Sequence, residues 1–133
     1  MKKGLAALTL ITIWLAAGAA FAGKLIINSD TSDPAPKAAF QAIVEDFKKA
    51  HPDIDAKLNI YDHESYKTSI RNWLSTEAPD VAFWYSGERM KTFVQRGLVE
   101  PIGHIWDANN LHDKMASTRS GITFDDKQYG LPY

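Results

Sequence analysis

Cysteine is absent from all 133 residues. That removes any disulfide framework, so stability in an oxidising compartment must come from a packed core. It also leaves no residue to acylate at a processing site, which excludes a lipid-anchored form. Thiolate metal ligands are missing too, and His51, His63, His104 and His112 never stand at a His-x-x-x-His spacing, so they read as surface histidines and no metal site is expected. No cofactor is expected either. Positive charge is scarce: 15 Lys and Arg face 16 Asp and Glu, with no basic stripe, which argues against nucleic acid as a partner. Internal repeats, low-complexity tracts and flexible linkers are also lacking.

What is present begins with "MKKGLAALTLITIWLAAGAAFAG". Lys2 and Lys3 precede an apolar stretch from Leu5 to Ala17, and Ala20-Phe21-Ala22 forms an A-x-A-like cleavage site, the order of a secretory signal over residues 1–22. A membrane anchor is the alternative, since the apolar run can be stretched close to the ~20 residues needed to span a bilayer. The small-residue end and the abrupt start of a strand pattern at Lys24 fit removal better. The protein is therefore expected to be exported as a free periplasmic protein beginning at Gly23. Loss of Lys2 and Lys3 leaves 13 basic and 16 acidic residues, a formal charge of −3. The residues 23–133 suffice for one small domain.

"KLIIN" (Lys24 to Asn28) predicts a strand, and "SDTSDPAP" the loop after it. Pro36 suits the first turn of a helix in which Phe40, Ile43, Val44 and Phe47 recur at helical steps, with Lys48, Lys49 and His51 complementing its C-terminal dipole and Pro52 ending it. Ile54, Ala56, Leu58 and Ile60 alternate as a second strand. Asp62 is the N-cap expected for a second helix to about Thr76, with a stripe of Tyr66, Ile70, Trp73 and Leu74. "VAFW" predicts a strand buried on both faces, followed by a helix from Glu88 to Gln95 closed by Gly97. Three strand-helix units imply an α/β fold with a mainly parallel sheet, right-handed crossovers and flanking helices. Ile105, Trp106, Leu111 and Met115 suggest short helices. The chain closes in a C-terminal hairpin with Asp125-Asp126 at the turn and Tyr129, Leu131 and Tyr133 alternating on its second arm.

Ligands of open α/β sheets bind outside the carboxyl ends of the strands. Two loops fall there: "SDTSD", with Ser29, Asp30 and Thr31, and "WYSGER", with Trp84, Tyr85, Glu88 and Arg89. Rings cover the apolar C–H faces of sugars, and carboxylates or guanidinium groups bond adjacent hydroxyls in pairs. The structural reading stands beside this one. Successive strand residues point to opposite faces, so one of Trp84 and Tyr85 belongs to the core. Glu88 and Arg89 also suit a solvated helix start, and Ser29, Asp30 and Thr31 also suit a loop and helix cap.

"APDVAFWYSGERMKTFVQRGLVEPI" (Ala78 to Ile102) and "DDKQYGLPY" resemble segments of extracellular solute-binding proteins of the maltose-binding type, and "KLIINSD...AFQAIVEDFKKAHPDIDAKL" fits the family's opening strand, helix and strand. The resemblance covers residues 23–133 and implies the first part of the first of two lobes that close on a sugar. It implies a carbohydrate ligand, ABC permease subunits of the inner membrane as partners, and a monomer at full length. Trp84, Glu88 and Arg89 match a sugar-contacting tryptophan and acid-arginine pair once one extra residue is allowed in the turn, and the first-strand loop points to Asp30 and its neighbours. Family members are much longer than this chain, so residues 23–133 alone are expected to bind sugar weakly or not at all. The alternative is a secreted carbohydrate-active enzyme of the glycoside hydrolase type. It needs two carboxylates about 5 to 10 Å apart across a cleft, and its candidates, Asp53, Asp55, Asp62, Glu64, Asp125 and Asp126, fall where acids are ordinary surface residues.

Overall fold

Pro34 opens the first helix and Asp62 caps the second, and the three parallel strands that alternate with the helices assemble around the most apolar one. The computed structural model describes residues 23–133. The expected export signal and cleavage site lie outside the described residues. The element order is β1 (Lys24–Ser29), α1 (Pro34–Ala50), β2 (Asp55–Ile60), α2 (His63–Thr76), β3 (Val81–Ala82) and α3 (Glu88–Gln95). There follow α4 (Gly103–Ala108), α5 (Leu111–Lys114), a 3-10 turn at Arg119–Ile122, and β4 (Thr123–Phe124) with β5 (Lys127–Gln128). The first three strands form one parallel sheet in the order β2-β1-β3, and β4 and β5 form an antiparallel hairpin. The fold is α/β, as the strand-helix alternation implies.

β1 is central and pairs along its whole length with β2, from Lys24 opposite Asp55 to Ser29 opposite Ile60. Its polar end is satisfied in place: Asn59 Nδ2 donates to Asn28 Oδ1 at 2.9 Å, and Tyr66 Oη donates to the Asn28 carbonyl at 3.1 Å. The principal core is Tyr66, Ile70 and Leu74 of α2 with Phe93 of α3, against which Tyr61, Trp73, Phe83 and Trp84 pack. α2 starts where the Asp62 carboxylate accepts from the amides of Glu64 and Ser65, bonds that hold its pKa below the usual value.

Three expectations are corrected. Val44 is buried, but Ile43 is 62% exposed, because it lies about 100° round the helix from Val44, on a flank that no described element covers. "VAFW" does not make a doubly buried strand: only Val81 and Ala82 pair with β1, at the sheet edge, and Val81 is 43% exposed. A short apolar run reads alike at the centre or the edge of a sheet. The hairpin's second arm ends at Gln128, with one further bond from the Tyr129 amide to the Ile122 carbonyl. Leu131 and Tyr133 find no strand opposite, since residues 119–122 curl into a 3-10 turn.

Local signals account for the rest. Gly97 has φ +64°, and the amides of Gly97 and Leu98 bond the carbonyls of Val94 and Phe93, a Schellman closure of α3. Asp125 and Asp126 both have positive φ, 48° and 62°, as a type I′ turn requires. Before β3, the Asp80 carboxylate accepts from the Ile26 amide at 2.7 Å, standing in for a strand carbonyl that the short edge strand does not supply. Asp80→Ala is expected to lower stability by ~1 kcal/mol, while Asp80→Asn, which keeps an acceptor oxygen, stays near wild type; urea unfolding midpoints decide between them.

Candidate functional site

The three parallel strands end side by side, so the loops after them meet over one edge of the sheet. Asp30 follows β1 directly, His63 opens α2 after β2, and Tyr85 follows the short β3. Their side chains connect in a line. Asp30 Oδ2 lies 2.7 Å from His63 Nδ1, and His63 Nε2 lies 2.7 Å from Tyr85 Oη. A carboxylate only accepts, so Nδ1 carries the proton; in the neutral imidazole Nε2 then accepts from the Tyr85 hydroxyl. The Arg89 guanidinium caps the line, its carbon 4.3 Å from the centre of the Tyr85 ring, within cation–π range.

Ser29, by contrast, is fully buried. Its hydroxyl donates to Thr31 Oγ1 at 2.9 Å and accepts from the Thr31 amide at 3.0 Å, a local turn that sets the path of the loop and aims Asp30. Gly87, with φ +69°, makes the turn into α3, anchored by its amide to the Gly121 carbonyl at 2.7 Å. Trp84 is half-buried, its ring tilted against Phe93 with centroids 5.2 Å apart and edge-on to Tyr85 at 5.4 Å. Its Nε1 donates to the Arg89 carbonyl at 3.1 Å. That leaves the indole ring, not its N–H, for a ligand. The ring lines an open cleft of about 640 Å³ together with Glu88, Arg89 and Phe93. Glu88 stands apart from the Asp30 line: its side chain is mostly exposed and pairs with Lys91 at 3.2 Å.

The sequence residues thus separate into roles. Asp30, Tyr85 and Arg89 converge, Trp84 flanks them, Glu88 lies on the outer lip, and Ser29 and Thr31 support the loop. His63, which joins Asp30 to Tyr85, reads in the sequence alone as a surface histidine. A signal for it existed, since it sits three residues beyond β2 and so over the same carboxyl edge as the two loops singled out. Among the described residues no group of three His, Asp or Glu side chains is placed to hold a metal ion.

Residues 31–133 match the bacterial extracellular solute-binding protein family. The chain belongs to that family. Its members are receptors that bind a solute and transform nothing, so the glycoside hydrolase alternative is set aside. Among solved structures, the chain is similar to the bacterial solute receptor AcbH, described as having an exclusive preference for β-D-galactopyranose. The TM-score is 0.65 at 28% identity, covering 84% of this chain and 28% of AcbH. It shares its fold with a protein of xylan utilisation from the thermophilic bacterium Caldanaerobius polysaccharolyticus, with a TM-score of 0.69 at 23% identity over 82% of this chain and 28% of that one. The chain therefore spans about 28% of the length of each of these two solved proteins. No curated protein matches.

Proposed function

We propose that this chain supplies part of the first lobe, residues 23–133, of a two-lobed periplasmic receptor that captures a sugar or oligosaccharide and hands it to the permease of an ATP-driven importer. The observation that carries this reading is the Asp30–His63–Tyr85–Arg89 line, with the Trp84 ring beside it, at the carboxyl edge of a parallel sheet. Such an edge is where ligands sit in α/β proteins. The likeness to AcbH supports a sugar as the solute. Binding would rest on the Asp30 carboxylate accepting from sugar hydroxyls, on the Arg89 guanidinium donating to neighbouring ones, and on C–H contact with Trp84 and Tyr85. Closure of a second lobe over the sugar would be the state the permease recognises.

His63 is a positioning residue in this scheme. It fixes the carboxylate of Asp30 and commits the Tyr85 hydroxyl proton, so that the Tyr85 oxygen faces the ligand as an acceptor. Titration calorimetry of the full encoded receptor against mono- and oligosaccharides tests the reading. One saccharide is expected to bind in the micromolar range or tighter. Trp84→Ala, which removes a ring contact with the ligand, and His63→Ala, which releases Asp30 and Tyr85 from their positions, should each weaken it roughly tenfold, about the worth of one hydrogen bond or ring contact. A receptor that takes no saccharide, or a His63→Ala variant that binds as tightly as wild type, would overturn the proposal.

A further inference from the structure

The cleft beside Trp84 runs away from the strand edge between α2 and α3, and its charge is opposite to that of the molecule around it. Lys67 and Arg71 line one wall and Arg89 and Arg96 the other, with Glu88 the one acid among the lining residues. Four of the 13 basic residues in 23–133 therefore gather here, against one of 16 acidic residues, in a stretch whose formal charge is −3. Lys67 is offset by Glu64 at 2.8 Å, an ion pair that also holds the Glu64 carboxyl below its usual pKa. Among the described residues Arg71, Arg89 and Arg96 have no carboxylate within ion-pairing distance. Arg96 reaches only the Ser75 hydroxyl, at 3.4 Å. The floor, Trp84 and Phe93, is aromatic.

Resting on the sugar-receptor reading above, we propose that this groove is a carboxylate subsite, and that the receptor takes an acidic oligosaccharide carrying uronate groups. One sugar ring lies against Trp84 at the strand edge, and the carboxylates of the following units meet the guanidinium groups of Arg71 and Arg96. Guanidinium binds carboxylate in a two-pronged, planar geometry that ammonium does not match, and three of the four cations are arginine. Arg89, shared by the groove and the Tyr85 line, sets the boundary between the neutral and the acidic positions. Glu88 on the lip disfavours carboxylates there, which directs the charge inward.

The probes are uronate oligosaccharides on several hexose and pentose backbones, each paired with its methyl ester, which keeps the shape and removes the charge. Calorimetry of the full encoded receptor is expected to give at least tenfold tighter binding of one acid than of its ester, with the preference shrinking as salt screens the groove. Arg71→Gln with Arg96→Gln should weaken the acid at least tenfold, since even one lost charge-assisted hydrogen bond is worth about that much, and leave the ester unchanged. Equal binding of acid and ester, or loss of both in the double variant, would sink the subsite. If only a neutral sugar binds, the groove proposal fails while the sugar receptor stands. Failure of every saccharide removes both, and capture of polyglutamate without any glycan would assign the groove to an acidic peptide instead.

Discussion

Trp106→Ala is expected to cost about 3–5 kcal/mol, a large share of the ~5–15 kcal/mol that holds a domain of this size folded. The indole is fully buried, and it is the largest side chain of a second packing centre formed by α4, the 3-10 turn and the hairpin. Ile122 and Gln128 are buried with it, and its Nε1 donates to the Gly130 carbonyl at 3.0 Å. The Ile102 amide, just before α4, bonds the Gln128 carbonyl at 2.7 Å. Removing the ring opens a cavity under both α4 and the strand pair. The damage should travel to the candidate site, because the Gly121 carbonyl holds the Gly87 amide that starts α3 and so places Arg89. Hydrogen exchange checks this: the Gly87 amide should lose protection in Trp106→Ala along with the hairpin amides. Trp106→Phe, which keeps most of the packing and loses the Gly130 bond, should cost only ~1 kcal/mol and leave Gly87 protected. Unchanged exchange at Gly87 in the alanine variant would show that the two centres are independent.

The pattern of what the sequence revealed follows the range of each signal. The Asp62 cap, the Gly97 closure of α3 and the Asp125-Asp126 turn are decided within a few residues by backbone chemistry, and all three were legible. Placement across the sheet was not. Val81 and Ala82 lie at an edge because β1 takes the centre, and nothing in "VAFW" states which neighbours a strand will have. The same limit hid His63. Its meaning comes from β2 and β3 flanking β1, which brings residues 30, 63 and 85 into one line. Trp84 shows a finer limit. Its position after β3 pointed to the cleft, but the use of its N–H by the Arg89 carbonyl depends on how sharply the Gly87 turn folds back. The apolar flank at Ile43 was invisible for a related reason: helical periodicity gives the width of a stripe, not how much of it another element covers.

Tyr66 is where core and site join, and its variants are expected to separate the two. The side chain is fully buried, packed edge-on against Trp73 at 5.6 Å and near Tyr61 at 6.1 Å. Its hydroxyl bonds the Asn28 carbonyl, which also receives the Phe83 amide at 3.1 Å. One phenol thus ties α2 to the end of β1, two residues before Asp30. Tyr66→Ala should cost about 3–5 kcal/mol in cavity formation and let the Asp30 loop drift. Tyr66→Phe keeps the ring, and Asn28 keeps its Phe83 donor, so the cost should be ~1 kcal/mol with the sugar site intact. Alkaline pH gives an independent readout. Burial pushes the Tyr66 phenol well above its ordinary value of 10.0, with the Asp30 charge adding to the rise. A raised folded-state pKa means that the stabilisation is complete below the unfolded value and is lost as pH climbs beyond it, because the unfolded chain releases a proton that the folded chain retains. Wild type should therefore lose stability steadily above about pH 10, and Tyr66→Phe should lose less over the same range. Parallel alkaline limbs for the two proteins would mean that this phenol is reached by water in the folded state, and the tie between α2 and Asn28 would then be looser than its geometry implies.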